Sequence, residues 1–191
     1  MNNRFWMIGI LVIMAVICAA ALGLVNSVTG PIIALQNELA YKRTVLDVFG
    51  IPCPAGDSDA ILAAYDENVT EREVEGLTVF TETSSGREAI SIEGGGFQGE
   101  IGLIVSLDGT IITGFRVVSQ VETPGLGARI TEEPFQRSFV GKDVKDGIAM
   151  TRSGSAGPSE FDAITGATET SRALERILNR GFERYFAAAG E

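Results

Sequence analysis

One run constrains this chain before anything else is read: "FWMIGILVIMAVICAAALGLV", residues 5–25, which carries no charged side chain over 21 residues. At about 1.5 Å per helical residue, that length crosses a hydrocarbon core of roughly 30 Å. It also exceeds the usual apolar core of a secretory leader, about 7–15 residues, which favours a retained anchor over a cleaved signal, although Ala19, Ala20 and Ala21 would suit a peptidase. A lipoprotein site at Cys18 is poorer, because Ile17 stands where a small residue is wanted. Arg4 and the N-terminal amine precede the run, whereas Lys42 and Arg43 come well after it and beyond Glu38. That asymmetry places the N-terminus in the cytoplasm and the body outside, so the expectation is a single-pass protein of the inner, cytoplasmic membrane. The chain then divides into residues 1–27 (cytoplasmic N-terminus and transmembrane helix), 28–56 (stalk helix and linker) and 57–191 (extracytoplasmic domain).

A total of 191 residues, 45% of them apolar, is enough for one domain with its own core. The body holds most of the formal charge of −10, which argues against nucleic acid and against an anionic lipid surface as partners. There is no histidine, which removes His-based triads and His-ligated zinc or haem; of the two cysteines one lies in the apolar run, so the body forms neither an internal disulfide nor a cysteine-held cluster. No metal site is expected. Chemistry must come from carboxylates, hydroxyls, backbone groups or a borrowed cofactor.

Residues 28–49 show helical spacing at Ile32, Leu35, Leu39, Val45, Leu46 and Phe49 after a break at Gly30 and Pro31, and read as a stalk helix. A loop with two prolines spans 50–56, and a short helix spans 57–68 behind capping residues. Strands follow at 77–81 and 89–92, then a hairpin of 101–107 and 111–119 turning at Asp108 and Gly109, and a short strand at 147–150. Leu174, Ile177, Leu178 and Phe182 form one face of a C-terminal amphipathic helix, with Glu175, Arg176, Asn179 and Arg180 off it. The fold class is α+β: a central antiparallel sheet with flanking helices.

Two glycine-rich stretches punctuate this plan. "GGGFQG" at 94–99 fits G-x-G-x-x-G, but a strand and turn follow it rather than a helix, so it reads as a bend between strands and not as a dinucleotide site. "ETPGLGARI" at 122–130 is a tight loop that either is a surface turn or brings backbone amides and Leu126 against a planar ligand. The third unusual stretch is "DAITGATETS" at 162–171, where Thr165, Thr168, Thr170 and Ser171 crowd a helix start. Helix capping accounts for one or two of these hydroxyls. A helix N-terminus also favours a phosphate, and a hydroxyl there could carry one covalently.

The segment from Asp162 to Thr168 resembles the flavinylation motif, an acidic residue followed by Ser/Thr-Gly-Ala-Thr, of FMN-binding domains in the Rnf and sodium-translocating NADH:quinone reductase complexes. "ETPGLG" and "GGGFQGEIGLIVSLDGTI" are typical of the same domain, and the likeness covers nearly the whole chain. It is nearest the G subunit of the Rnf complex, since the C subunit of the quinone reductase is usually longer. The resemblance implies covalent FMN, joined through its phosphate to Thr168 by a flavin transferase, and a redox relay in a membrane complex coupling ferredoxin and NAD to ion transport. It implies that the partners are the other subunits, the transferase and the membrane, and that the subunit is not catalytic alone. Gly166 and Ala167 would leave room for transferase and phosphate; Thr165, Thr170 and Ser171 would bond around the phosphate; Glu122, Thr123, Leu126 and Gly127 would contact the ring; and Asp162 would be read by the transferase with its magnesium. Thr170, also in the first helical turn, is the second candidate for attachment. A quinone-reductase C subunit, a standalone tethered flavin carrier and a nonredox scaffold remain as alternatives.

Overall fold

The computed structural model of the chain describes residues 3–53 and 57–189. Residues 54–56 of the expected linker lie outside the described residues, and so does the side chain of Arg4, on which the expected orientation partly rests. The chain forms two compact units, Met1–Ala40 and Tyr41–Glu191.

Helix α1, Asn3–Phe49, begins in the first unit, and it is long and apolar enough to cross a membrane. Its side chains there, Trp6, Leu11 and Leu22 among them, are exposed. The break expected at Gly30 and Pro31 does not occur, because the helix continues through Pro31. Proline removes one backbone bond at a cost of about 3 kcal/mol, and the rest of a 47-residue helix outweighs that loss.

The second unit is built on a five-stranded antiparallel meander in the order β1-β2-β3-β4-β5. Helix α2, Ser58–Asn68, is capped by the Asp57 carboxylate and leads into β1, Val69–Val74. Then come β2, Leu77–Glu82; β3, Glu88–Gly95; β4, Glu100–Asp108; and β5, Ile111–Ser119. Strand β4 is buried on both faces for seven consecutive residues, which is why apolar residues do not alternate with polar ones along it; the one polar side chain among them, Ser106, donates to the Val48 carbonyl at 3.0 Å. Asp108 pairs with Ile111, so the hairpin turns on Gly109 and Thr110, one residue later than expected. Gly109 takes φ +59° at the first turn position, where a two-residue hairpin loop needs a positive φ.

A 3-10 turn, Gly127–Thr131, and helix α3, Glu133–Arg137, follow the meander. The strand expected at 147–150 is β6, Ala149–Thr151, and it pairs in parallel with β7, Glu160–Asp162, inside what the sequence presents as a polar loop. Helix α4, Thr168–Ala189, completes the unit.

The sheet is covered on both sides. Leu174, Ile177, Leu178 and Phe182 of α4 share one core with Val79, Ile90, Ile92, Leu103 and Val105. On the opposite face, Val45, Leu46, Val48 and Phe49 at the end of α1 pack with Tyr65, Phe80, Ala89 and Ile104. The last part of the segment read as stalk therefore belongs to the folded domain.

Candidate functional site

Two glycine turns and one helix start converge on a cleft of about 300 Å³. In the first turn the Leu126 N–H bonds the Thr123 carbonyl at 3.1 Å. Pro124 and Gly125 fill its central positions, Gly125 with φ +75°, the pairing a type II turn requires. In the second turn the Ala167 N–H bonds the Ile164 carbonyl at 3.0 Å around Thr165 and Gly166, the latter at φ +83°. A Cβ on Gly166 would also stand 3.2 Å from Leu126 Cδ2, so the two turns close on each other.

Helix α4 starts directly from the second turn. The Ser171 N–H closes onto the Ala167 carbonyl at 3.0 Å, which leaves the amides of Thr168, Glu169 and Thr170 ahead of the helical ladder. The four hydroxyls of this stretch then take distinct roles. Ser171 is fully buried; its Oγ donates to the Ala167 carbonyl and accepts from the Ile164 N–H, which clamps the turn. Thr170 is 2% exposed and donates to Glu122 Oε2 at 2.8 Å. Thr168 is half-buried at the cleft, and its hydroxyl has no hydrogen-bond partner among the described residues. Thr165 is exposed and lines a second cleft of about 300 Å³, shared with Arg152, Gly154, Asp162, Gly166 and Thr168.

Glu122 lies under the first cleft, 5% exposed. Its Oε1 accepts the amides of Phe97 and Gln98 at 2.7 and 3.0 Å, so it fastens the turn between β3 and β4 to the start of α4 through Thr170. Phe97 and Leu126, 62% and 45% exposed, line the same cleft.

Of the residues expected at the site, Glu122, Thr123, Leu126, Gly127, Gly166, Ala167, Thr168 and Thr170 line the first cleft together. Ser171 does not reach it, being held in the core, and Ala167, 7% exposed, gives most of its side chain to the core instead of leaving space. Thr165 and Asp162 belong to the second cleft, where the Asp162 carboxylate accepts the amides of Gly154 and Ala156 at 2.9 and 3.3 Å. Phe97 was missed; the one signal for it is a lone aromatic set inside a glycine run, where nothing in the local pattern buries it.

These groups suit a phosphorylated planar ligand. Two apolar side chains flank the cleft, unpaired amides and an unengaged hydroxyl stand at one end, and each turn has a glycine, Gly125 or Gly166, at its positive-φ position. Comparison with known proteins gives the same class: residues 96–183 match the FMN-binding domain. The fold is also that of the C subunit of the sodium-translocating NADH-quinone reductase from Parabacteroides distasonis, with a TM-score of 0.64 at 24% identity over 78% of this chain and 92% of that one.

Similarity along the sequence is more particular. The G subunit of the sodium-translocating ferredoxin:NAD oxidoreductase complex of Acetobacterium woodii is 31% identical over 92% of this chain and 88% of its own length. The G subunit of the ion-translocating oxidoreductase complex of Methanosarcina acetivorans is 41% identical over 50% of this chain and 49% of its own. The chain belongs to the G-subunit family of these ion-translocating, Rnf-type oxidoreductase complexes.

Proposed function

We propose that this chain is the flavin-carrying electron-transfer subunit of a membrane ion-translocating ferredoxin:NAD oxidoreductase, with FMN attached to Thr168 through its phosphate. The observation that carries this reading is the unengaged Thr168 hydroxyl at the cleft, beside Thr170 and Ser171 hydroxyls that are both committed to the protein. FMN, when bound, supplies one- and two-electron transfer. The protein's own contribution is placement: the amides of Thr168 to Thr170 receive the anionic end, Phe97 and Leu126 flank the ring and limit water around it, and Glu122 fixes the floor.

The second cleft gives a flavin transferase access to Thr168 from the side of Asp162 and Thr165. With two hydrogen bonds to the Asp162 carboxylate holding the 154–156 loop, the transferase would meet a fixed surface there. The apolar run of α1 anchors the chain, with the body extracytoplasmic by the distribution of basic residues around that run. Other subunits of the complex give and take the electrons.

Production of the chain with a flavin transferase, followed by intact mass and in-gel fluorescence after denaturation, tests the attachment. The wild type gains a flavin-sized increment and Thr168→Ala does not; an increment retained in that variant refutes Thr168. Copurification from membranes in mild detergent tests the complex, and a chain that brings no redox subunits with it counts against that part.

A further inference from the structure

We propose that Glu122 sets the reduction potential of the flavin in the first cleft, holding it low through a negative charge that no cation neutralises. This rests on the flavin reading above. Glu122 is 5% exposed and forms part of the cleft wall. Its carboxylate accepts three hydrogen bonds, from the amides of Phe97 and Gln98 and the hydroxyl of Thr170. No lysine or arginine among the described residues makes an ion pair with it.

Glu82 provides the contrast within the same domain. It is buried to the same degree, 6% exposed, but has Arg87 Nη2 at 2.7 Å. Burying a carboxylate without a cation is expensive, and a fold that does so at one position while pairing the other is retaining that charge locally. The backbone around Glu122 is cut to admit it: a Cβ on Gly96 would stand 2.5 Å from Oε1, and one on Gly127 2.5 Å from Oε2. Three dipoles solvate the carboxylate in place and leave its net charge standing.

Two-electron reduction of an isoalloxazine with uptake of one proton adds one negative charge to the ring. In a spectroelectrochemical titration the electrons come from the electrode; in the complex they come from the redox centre of a neighbouring subunit. Glu122 opposes that added charge from within the cleft wall, where water screens little. Its effect is therefore to make the bound flavin a stronger reductant.

The test is a spectroelectrochemical titration of the full chain, matured with the transferase and held in detergent, at fixed pH and ionic strength. Glu122→Gln keeps the shape, with the amide oxygen still accepting from Phe97 and Gln98 and the amide nitrogen facing Thr170, but removes the charge; the midpoint shifts to more positive potential. Thr170→Val keeps the charge and removes one of its donors; the midpoint shifts the opposite way. Opposite signs separate a charge effect from general loosening of the cleft, which would move both variants alike. A Glu122→Gln midpoint that stays put or moves negative overturns the proposal, as does a positive shift in Thr170→Val, and the second result decides the matter should Glu122→Gln fail to load. A wild-type chain that takes up no flavin overturns this proposal and the flavin reading together, whereas a loaded chain with an unmoved Glu122→Gln overturns this one alone.

Discussion

Thr168→Ala and Thr170→Val, two hydroxyl deletions two residues apart, should have opposite consequences. The Thr170 hydroxyl is buried and supplies one of three donors to a buried carboxylate. Valine replaces it with a methyl of similar size and leaves Glu122 Oε2 without a donor, a loss of about 1–3 kcal/mol. For a domain of this size, that corresponds to a fall in Tm of roughly 3–10 °C. Thr168 is half-buried, its hydroxyl bonds nothing among the described residues, and it occupies the first position of α4. Alanine there is a better helix former, so the change in stability should stay within about 0.5 kcal/mol of zero.

Stability is read by thermal unfolding of the full chain in detergent, from cells without the transferase, so that bound flavin does not contribute. Attachment is read by intact mass on chains matured with it. Thr168→Ala should lose the flavin and keep its Tm, and Thr170→Val should keep the flavin and lose Tm. If Thr168→Ala proves as destabilising as Thr170→Val, or if flavin is lost from Thr170→Val and retained by Thr168→Ala, the division of roles between the two hydroxyls is wrong.

Gly166→Ala forces a side chain into φ +83° and against Leu126 Cδ2; it should cost about 1–2 kcal/mol and slow flavin attachment, as shown by the fraction of modified chain over time. Leu178→Ala, at a fully buried position of α4, should lower stability by about 2–5 kcal/mol in denaturant unfolding. Burial raises the Glu82 carboxyl, but hydrogen bonds from Ser85, Arg87 and Ser84 and the Arg87 charge outweigh it and leave the group below its usual 4.5. A carboxylate depressed in the folded state stabilises it above 4.5, and that contribution disappears as pH falls through the lower folded value. Glu82→Gln should therefore be less stable than wild type near neutrality and converge on it in acid; a gap that stays constant across a pH series of unfolding curves refutes the assignment.

The parts of the fold with a strong local period were legible in the sequence. Strand β4 and its hairpin partner announce themselves by apolar runs around a glycine turn, and α4 by Leu174, Ile177, Leu178 and Phe182 on one face. Strand β1 was not legible, because in "VTEREV" only Val69 is buried and an edge strand with four exposed residues carries no alternation. Strands β6 and β7 have three residues each, too short for a period, and pair across a loop. At the site, Gly125 and Gly166 could be read as turns from composition. The role of Thr170 could not, since its partner Glu122 is 48 residues away and only the folded chain brings them together.

The end of α1 has a practical consequence for where this protein can be divided. Hydropathy alone suggests separating anchor from body anywhere after residue 27, and the proline-rich loop after Phe49 looks like a natural place to cut. Yet Val45, Leu46, Val48 and Phe49 are 0–4% exposed against Phe80, Ala89 and Ile104. A fragment starting at residue 57 would bare that side of the meander to water and invite self-association, whereas one starting shortly before Tyr41 keeps it covered and should remain soluble.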